Sequence, residues 1–131
     1  MANAQRYCMI DETHEGDNVF VVARPSIFGN PYTHLKGKKT LAQIKVRSRL
    51  KAVELYGKYF DKMLEKDEDF RNAFDRMYEA FKKYEVIYIG CYCHVDDGEP
   101  CHADEIIKRL NQRLVKEKLK ELKNHAKKEE T

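Results

Sequence analysis

Apolar and polar positions alternate along this chain in a way that separates short strands from long helices. NVFVVA, from Asn18 to Ala23, is a β-branched and aromatic run that fits a half-buried strand, and Arg6 to Ile10 is a second short strand candidate. Glu15-Gly16-Asp17 between them supplies turn chemistry. A long loop is expected from Pro25 to about Thr40, because Asn30-Pro31 keeps Asn30 out of the helical region. From about Val46 the period changes: Val46, Leu50, Val53, Tyr56, Phe60 and Met63 recur every three or four residues, the stripe of an amphipathic helix. A second helix is expected over Glu68 to Lys82, with Phe70, Phe74, Met77 and Phe81 on one face and Asp67 or Asp69 as N-cap. Val86 to Cys93 is apolar on both faces and predicts a central, buried strand. The last helix opens near His102, with Ile106, Ile107, Leu110, Leu114, Leu119 and Leu122 as its apolar side.

This order predicts a single small α/β domain: a short sheet with a buried central strand flanked by helices, compact over 1–115, followed by a charged helical tail over 116–131. At 131 residues the chain holds one core, and 42% apolar with 36% charged residues describes a soluble globular protein with heavily charged helices. The N-terminus has no apolar stretch of signal-peptide length, and the apolar, uncharged run from Val86 to His94 is far shorter than a membrane helix. A cytoplasmic location without membrane contact follows, and in that compartment clustered thiols point to metal or chemistry rather than disulfides. Acids dominate the first 17 residues and the remainder is mildly basic. Lys36 to Lys39 and Lys45 to Arg49 can meet phosphates, but they read more simply as a solvated loop and helix face. A pI of 8.6 also lies below that of a dedicated nucleic-acid binder.

Three of the four cysteines, Cys91, Cys93 and Cys101, fall within eleven residues, and His94, His102 and Asp104 lie beside them. The expected strand-loop-helix order places this set where parallel α/β sheets bind ligands, beyond the strand's carboxyl end and next to a helix N-terminus. Three chemistries fit. Cys91, Cys93, Cys101 and His102 make a Cys₃His donor set for zinc, although adjacent Cys101 and His102 are awkward partners for one ion. His102 beside Cys101, with Asp104 two residues on, suits a general acid or base, or a thiol nucleophile at Cys101 or Cys93. The purely structural alternative makes the cysteines core residues, has His102 bond a backbone group, and leaves Asp104 as a favourable charge in the first helical turn. Cys8, on the first strand, reads as a core residue.

The loop after Asn18 to Ala23 is a second candidate. Arg24 offers a guanidinium for phosphate, Ser26 and Asn30 offer polar groups, and Phe28 or Tyr32 offers a ring for stacking on a base. Gly29 and Pro31 hold the backbone between them. No G-x-G-x-x-G or Walker pattern is present.

Together Arg24-Pro-Ser-Ile-Phe-Gly-Asn-Pro-Tyr32, Cys91-Tyr-Cys93 and Cys101-His-Ala-Asp104 resemble the motifs of a family of short bacterial, archaeal and phage proteins of unknown function. The family pattern is R-P-S-x-(W/F)-G-N-P-(F/Y) after a strand, then a helix, then a strand ending C-(W/Y)-C and a loop leading to C-H-(A/G)-D. The resemblance spans about Val19 to Leu110. It departs in Phe28 where Trp is common, in a longer and more acidic loop between Cys93 and Cys101, and in the lysine-rich tail. It implies that Arg24, Asn30, Cys93, Cys101, His102 and Asp104 form one site, and its phage members imply nucleotide metabolism, DNA modification or interference with host defence as contexts.

The leading expectation is therefore a cytoplasmic, phage-related protein that binds a nucleotide or similar phosphorylated ligand between the GNP loop (Arg24, Ser26, Asn30, Tyr32) and the start of the last helix (Cys101, His102, Asp104). The alternatives are a zinc-stabilised module for nucleic acid or protein, an enzyme with a cysteine nucleophile, and a protein that sequesters a nucleotide without turnover. The amphipathic C-terminal helix also suits a homodimer.

Overall fold

The computed structural model describes residues 2–9, 12–23, 26–29, 31–33, 44–45, 48–91 and 101–129, with side chains at 32–33, 44–45, 49 and 125–129 left aside. The elements in chain order are β1 (Ala4–Cys8), β2 (Val19–Val21), β3 (Tyr32–Thr33), β4 (Ile44–Lys45), α1 (Arg49–Lys66), α2 (Glu68–Lys83), β5 (Ile87–Cys91) and α3 (His102–Glu129).

β5 runs down the centre of a three-stranded parallel sheet in the order β1-β5-β2. Its registers are Ala4↔Ile87 through Cys8↔Cys91 on one side and Val19↔Tyr88 through Val21↔Gly90 on the other. The expectation of a central buried strand holds, because the chain alternates there between two covered faces. Ile87, Ile89 and Cys91 face a single core shared with Tyr56 and Phe60 of α1, Phe70, Phe74, Met77 and Phe81 of α2, and Ile106 and Leu110 of α3. Tyr88 and Gly90 face the opposite side, where His14, between β1 and β2, stacks on Tyr88 at 3.9 Å and meets Tyr7 edge-on at 4.6 Å. Tyr7 covers Gly90 so closely that a Cβ there would lie 2.8 Å from the phenol oxygen. At the turn before β2, Gly16 adopts φ +130°, a conformation that disfavours any side chain. β3 and β4 form a separate parallel pair of two residues each, which no sequence pattern announced.

α1 begins at Arg49 rather than near Val46, because the Ser48 hydroxyl accepts from the Lys51 N–H at 3.1 Å and caps it. Val46 lies outside the described residues, and Leu50, expected on the apolar stripe, is exposed. Asp67 is the whole junction between α1 and α2: its N–H donates to Met63 O, and its carboxylate caps α2 by accepting from Phe70 N at 3.0 Å.

A single guanidinium clasps α1 to α3. Arg109 spends all five of its N–H groups: two on the Asp61 carboxylate (2.8 and 3.0 Å), one on the Glu105 carboxylate (2.7 Å), and two on the carbonyls of Glu105 (3.1 Å) and Gly57 (2.8 Å). Burial works against the charge, but the two carboxylates outweigh it, so the guanidinium is held more firmly protonated than usual.

Farther along α3, Glu117 accepts from the Tyr78 hydroxyl and from Lys82 at 3.2 Å, tying the helix to α2. Leu119 and Leu122, on the apolar side of the helix but within its charged tail, are exposed. Among the described residues no helix is long and apolar enough to cross a membrane.

Candidate functional site

All three sheet strands point the same way, so their carboxyl ends share one edge. Backbone bonds carry the ladder one residue past the strands there, from Met9 N to Cys91 O (2.8 Å) and from Val22 N to Gly90 O (2.9 Å). α3 starts at the same edge, with Cys101 in the position before its first residue. Asp104 closes that helix end: its Oδ2 accepts from Cys101 N at 3.1 Å, while its own N–H bonds Cys101 O at 3.0 Å. The same Oδ2 accepts from Arg6 Nη1 at 3.0 Å, which fastens β1 to the start of α3. Asp104 thus sits in the first helical turn, as the structural alternative has it, and adds a bond to the Cys101 N–H and a pair with a strand arginine.

His102 reaches from the first turn of α3 to β2, its Nε2 lying 2.7 Å from Val22 O. A carbonyl only accepts, so Nε2 carries the hydrogen, and in the neutral ring Nδ1 keeps its lone pair. That Nδ1 lies 3.8 Å from Cys101 Sγ. The ring's other neighbour is Tyr56, edge-on at 5.0 Å. The Tyr56 hydroxyl donates to Phe28 O at 2.6 Å and so pins the loop that follows β2. Burial pushes the Tyr56 phenol well above its usual range and keeps it a donor.

That loop is a tight turn built on Ser26. Its N–H donates to Ala23 O and its carbonyl accepts from Gly29 N, both at 2.9 Å, while its hydroxyl accepts from Phe28 N at 3.1 Å. Phe28 is not available for stacking on a ligand. Its ring is buried 5.2 Å from Phe70 and 6.0 Å from Phe60, as a plug that anchors the loop in the core.

The thiols gather more closely than their spacing suggests. Cys101 Sγ lies 3.4 Å from Cys91 Sγ, and Cys91 Sγ is 3.8 Å from Tyr7 O. Cys8, read from the sequence as separate, is the register partner of Cys91 on the neighbouring strand, so both side chains point to the same face. All three are buried.

Of the expected site residues, the structure brings Cys91, Cys101, His102 and Asp104 together at the carboxyl edge and places Ser26 in the adjoining loop. Arg24, Asn30, Cys93 and His94 lie outside the described residues, and Tyr32 is described only as backbone in β3. Among the described residues no group of three or more His, Cys, Asp and Glu side chains is arranged to hold a metal. Sequence reasoning missed Arg6, Cys8, Tyr56 and the Val22 carbonyl. Two signals were present: Arg6 is a charge on the core-facing register of β1, and Tyr56 is a phenol inside an apolar stripe.

These features define an α/β domain whose central parallel strand ends beside a helix N-terminus, the edge at which open parallel sheets bind ligands. The chain belongs to the family described as Domain of unknown function (DUF4326), which it matches over residues 9–112, from the end of β1 into α3. No curated protein and no solved structure matches the chain.

Proposed function

We propose that this is a cytoplasmic protein that binds a nucleotide or similar phosphorylated ligand at the carboxyl edge of the sheet, between the Arg24–Tyr32 loop and the start of α3. The observation that carries this reading is the 2.7 Å bond from His102 to Val22 O, which holds the start of α3 against the strand end that leads into the Arg24–Tyr32 loop, at the edge where such sheets bind ligands. Tyr56 anchors residues 26–29 of the loop through Phe28 on the other side, and a preorganised frame lowers the entropic cost of binding. In this reading Arg24 pairs with phosphate and Asn30 orients the base or sugar. Burial of Cys101 against Cys91 favours binding over thiol catalysis.

Thermal unfolding against a panel of nucleoside mono-, di- and triphosphates and cyclic nucleotides tests this. At least one should raise the midpoint, and Arg24→Ala should abolish the rise without shifting the unliganded midpoint. A folded protein that responds to none of them overturns the reading. Binding without consumption of the ligand would assign sequestration rather than turnover.

A second reading rests on the sulfurs. Cys91 Sγ and Cys101 Sγ, 3.4 Å apart, offer two thiolate donors, and the Nε2–H of His102 is held by a carbonyl as that of an anchored ligand would be; since Cys91, Cys101 and His102 are not by themselves arranged around an ion, this reading requires Cys93 to join them and His102 to reorient on binding. Elemental analysis of protein purified without chelator decides it, with one equivalent expected and a small fraction of that refuting it.

A further inference from the structure

Cys91 closes the central strand and Cys101 opens α3, so the two residues bracket the connection between the sheet and its ligand-edge helix. Their sulfurs are 3.4 Å apart, and a disulfide spans about 2.05 Å, so roughly 1.4 Å of closure separates contact from a bond. Cys8 stands beside Cys91 in the sheet as a third thiol on the same face. Cys91 and Cys101 are each about 1% exposed, which shuts out a bulky disulfide reagent and leaves an oxidant not much larger than water.

We propose that Cys91 and Cys101 form an intramolecular dithiol that hydrogen peroxide oxidises to a disulfide, fastening the end of β5 to the start of α3. In the first step the sulfur of Cys101, having lost its proton, attacks one peroxide oxygen. The O–O bond breaks, Cys101 becomes a sulfenic acid, and the departing hydroxide takes up a proton as water. In the second step the sulfur of Cys91 attacks Cys101 Sγ, the S–O bond breaks, and the hydroxyl leaves with the Cys91 proton as a second water. Two thiols and one peroxide become one disulfide and two waters, each sulfur having lost one electron. The inference does not depend on which ligand binds the edge. A zinc ion held by the same thiolates would block it.

The test uses the full chain. Protein treated with hydrogen peroxide is denatured, alkylated with iodoacetamide and digested without reductant by a protease that cuts before Asp. Cleavage before Asp96 and Asp97 separates Cys91 and Cys93 from Cys101, whereas no Lys or Arg lies between them for trypsin. The expected product is the Cys91–Cys101 cross-linked peptide pair, assigned by fragment sequencing and reversed by dithiothreitol. Cys93→Ser should retain the cross-link and Cys91→Ser should lose it, with the wild-type digest deciding alone if a variant fails to fold. Absence of a cross-link, or one in which Cys8 or Cys93 replaces either partner, overturns the proposal.

Discussion

Replacing Arg109 by Met should be among the most damaging single changes outside the aromatic core. Met keeps the apolar stem where the guanidinium lies 5.5 Å from the Phe60 ring centre, but it removes five hydrogen bonds. The loss is uneven. Asp61 is 65% exposed, so its carboxylate returns to water and its share is at most about 1 kcal/mol. Glu105 is only 21% exposed, and Gly57 O faces the same partly buried space, so each is left short of a partner at a cost of about 1 kcal/mol or more. The sum is about 3 kcal/mol of destabilisation, most of it from the Glu105 and Gly57 side. Urea unfolding followed by far-UV circular dichroism reads it as a lower midpoint at unchanged slope. Adding Glu105→Gln to Arg109→Met should recover about 1 kcal/mol, since an unpartnered amide costs less than an unpartnered carboxylate. A loss below about 1 kcal/mol for Arg109→Met, or an Asp61→Ala loss as large as that of Arg109→Met, would refute the clasp as a stabilising unit.

Gly90→Ala should cost about 2 kcal/mol in the same assay, because the new Cβ meets the Tyr7 ring 2.8–2.9 Å away; Tyr7→Leu in the same chain should recover part of it. Asp104→Ala removes the bond to Cys101 N and the pair with Arg6 and should cost about 1 kcal/mol; a neutral outcome would show that α3 starts without its cap. Burial raises the phenols of Tyr7, Tyr56 and Tyr78, the last also through its bond to Glu117, so in the folded protein they ionise above the usual range. Their contribution to stability is fully present below about pH 10 and is lost as pH rises through the folded values, because unfolding then releases protons. Unfolding midpoints measured from pH 8 upward should fall from about pH 10, and Tyr56→Phe should flatten the fall.

What the chain reveals before folding depends on how local the cause is. Phe70, Phe74, Met77 and Phe81 repeat at helical spacing behind a capping Asp67, and α2 lies where that pattern puts it. β5 was legible because a strand covered on both faces must be apolar throughout. Cys8 beside Cys91 was not, since the register Cys8↔Cys91 joins strands far apart in sequence and no local period records it. Phe28 misled for a related reason: Pro and Gly around it predict a turn but not which way the ring turns, and its direction is set by Phe60, Phe70 and the Tyr56 hydroxyl. Leu119 and Leu122 have helical spacing, but the partner helix contributes its last bond to α3 at Glu117, so the periodicity continues beyond what it can pack against.

The strand order has a kinetic consequence. β1 and β2 each bond only to β5 within the sheet, never to one another, so none of its ladder can form until the chain through Cys91 exists. Ala4 must then find Ile87 with both α1 and α2 between them, a loop closure that slows folding. The α1–α2 hairpin, joined through Asp67 alone, is the local structure free to assemble first. A chain emerging from the ribosome therefore builds its helical pair early and keeps two N-terminal strands waiting until one late segment threads between them and converts three separate pieces into a sheet.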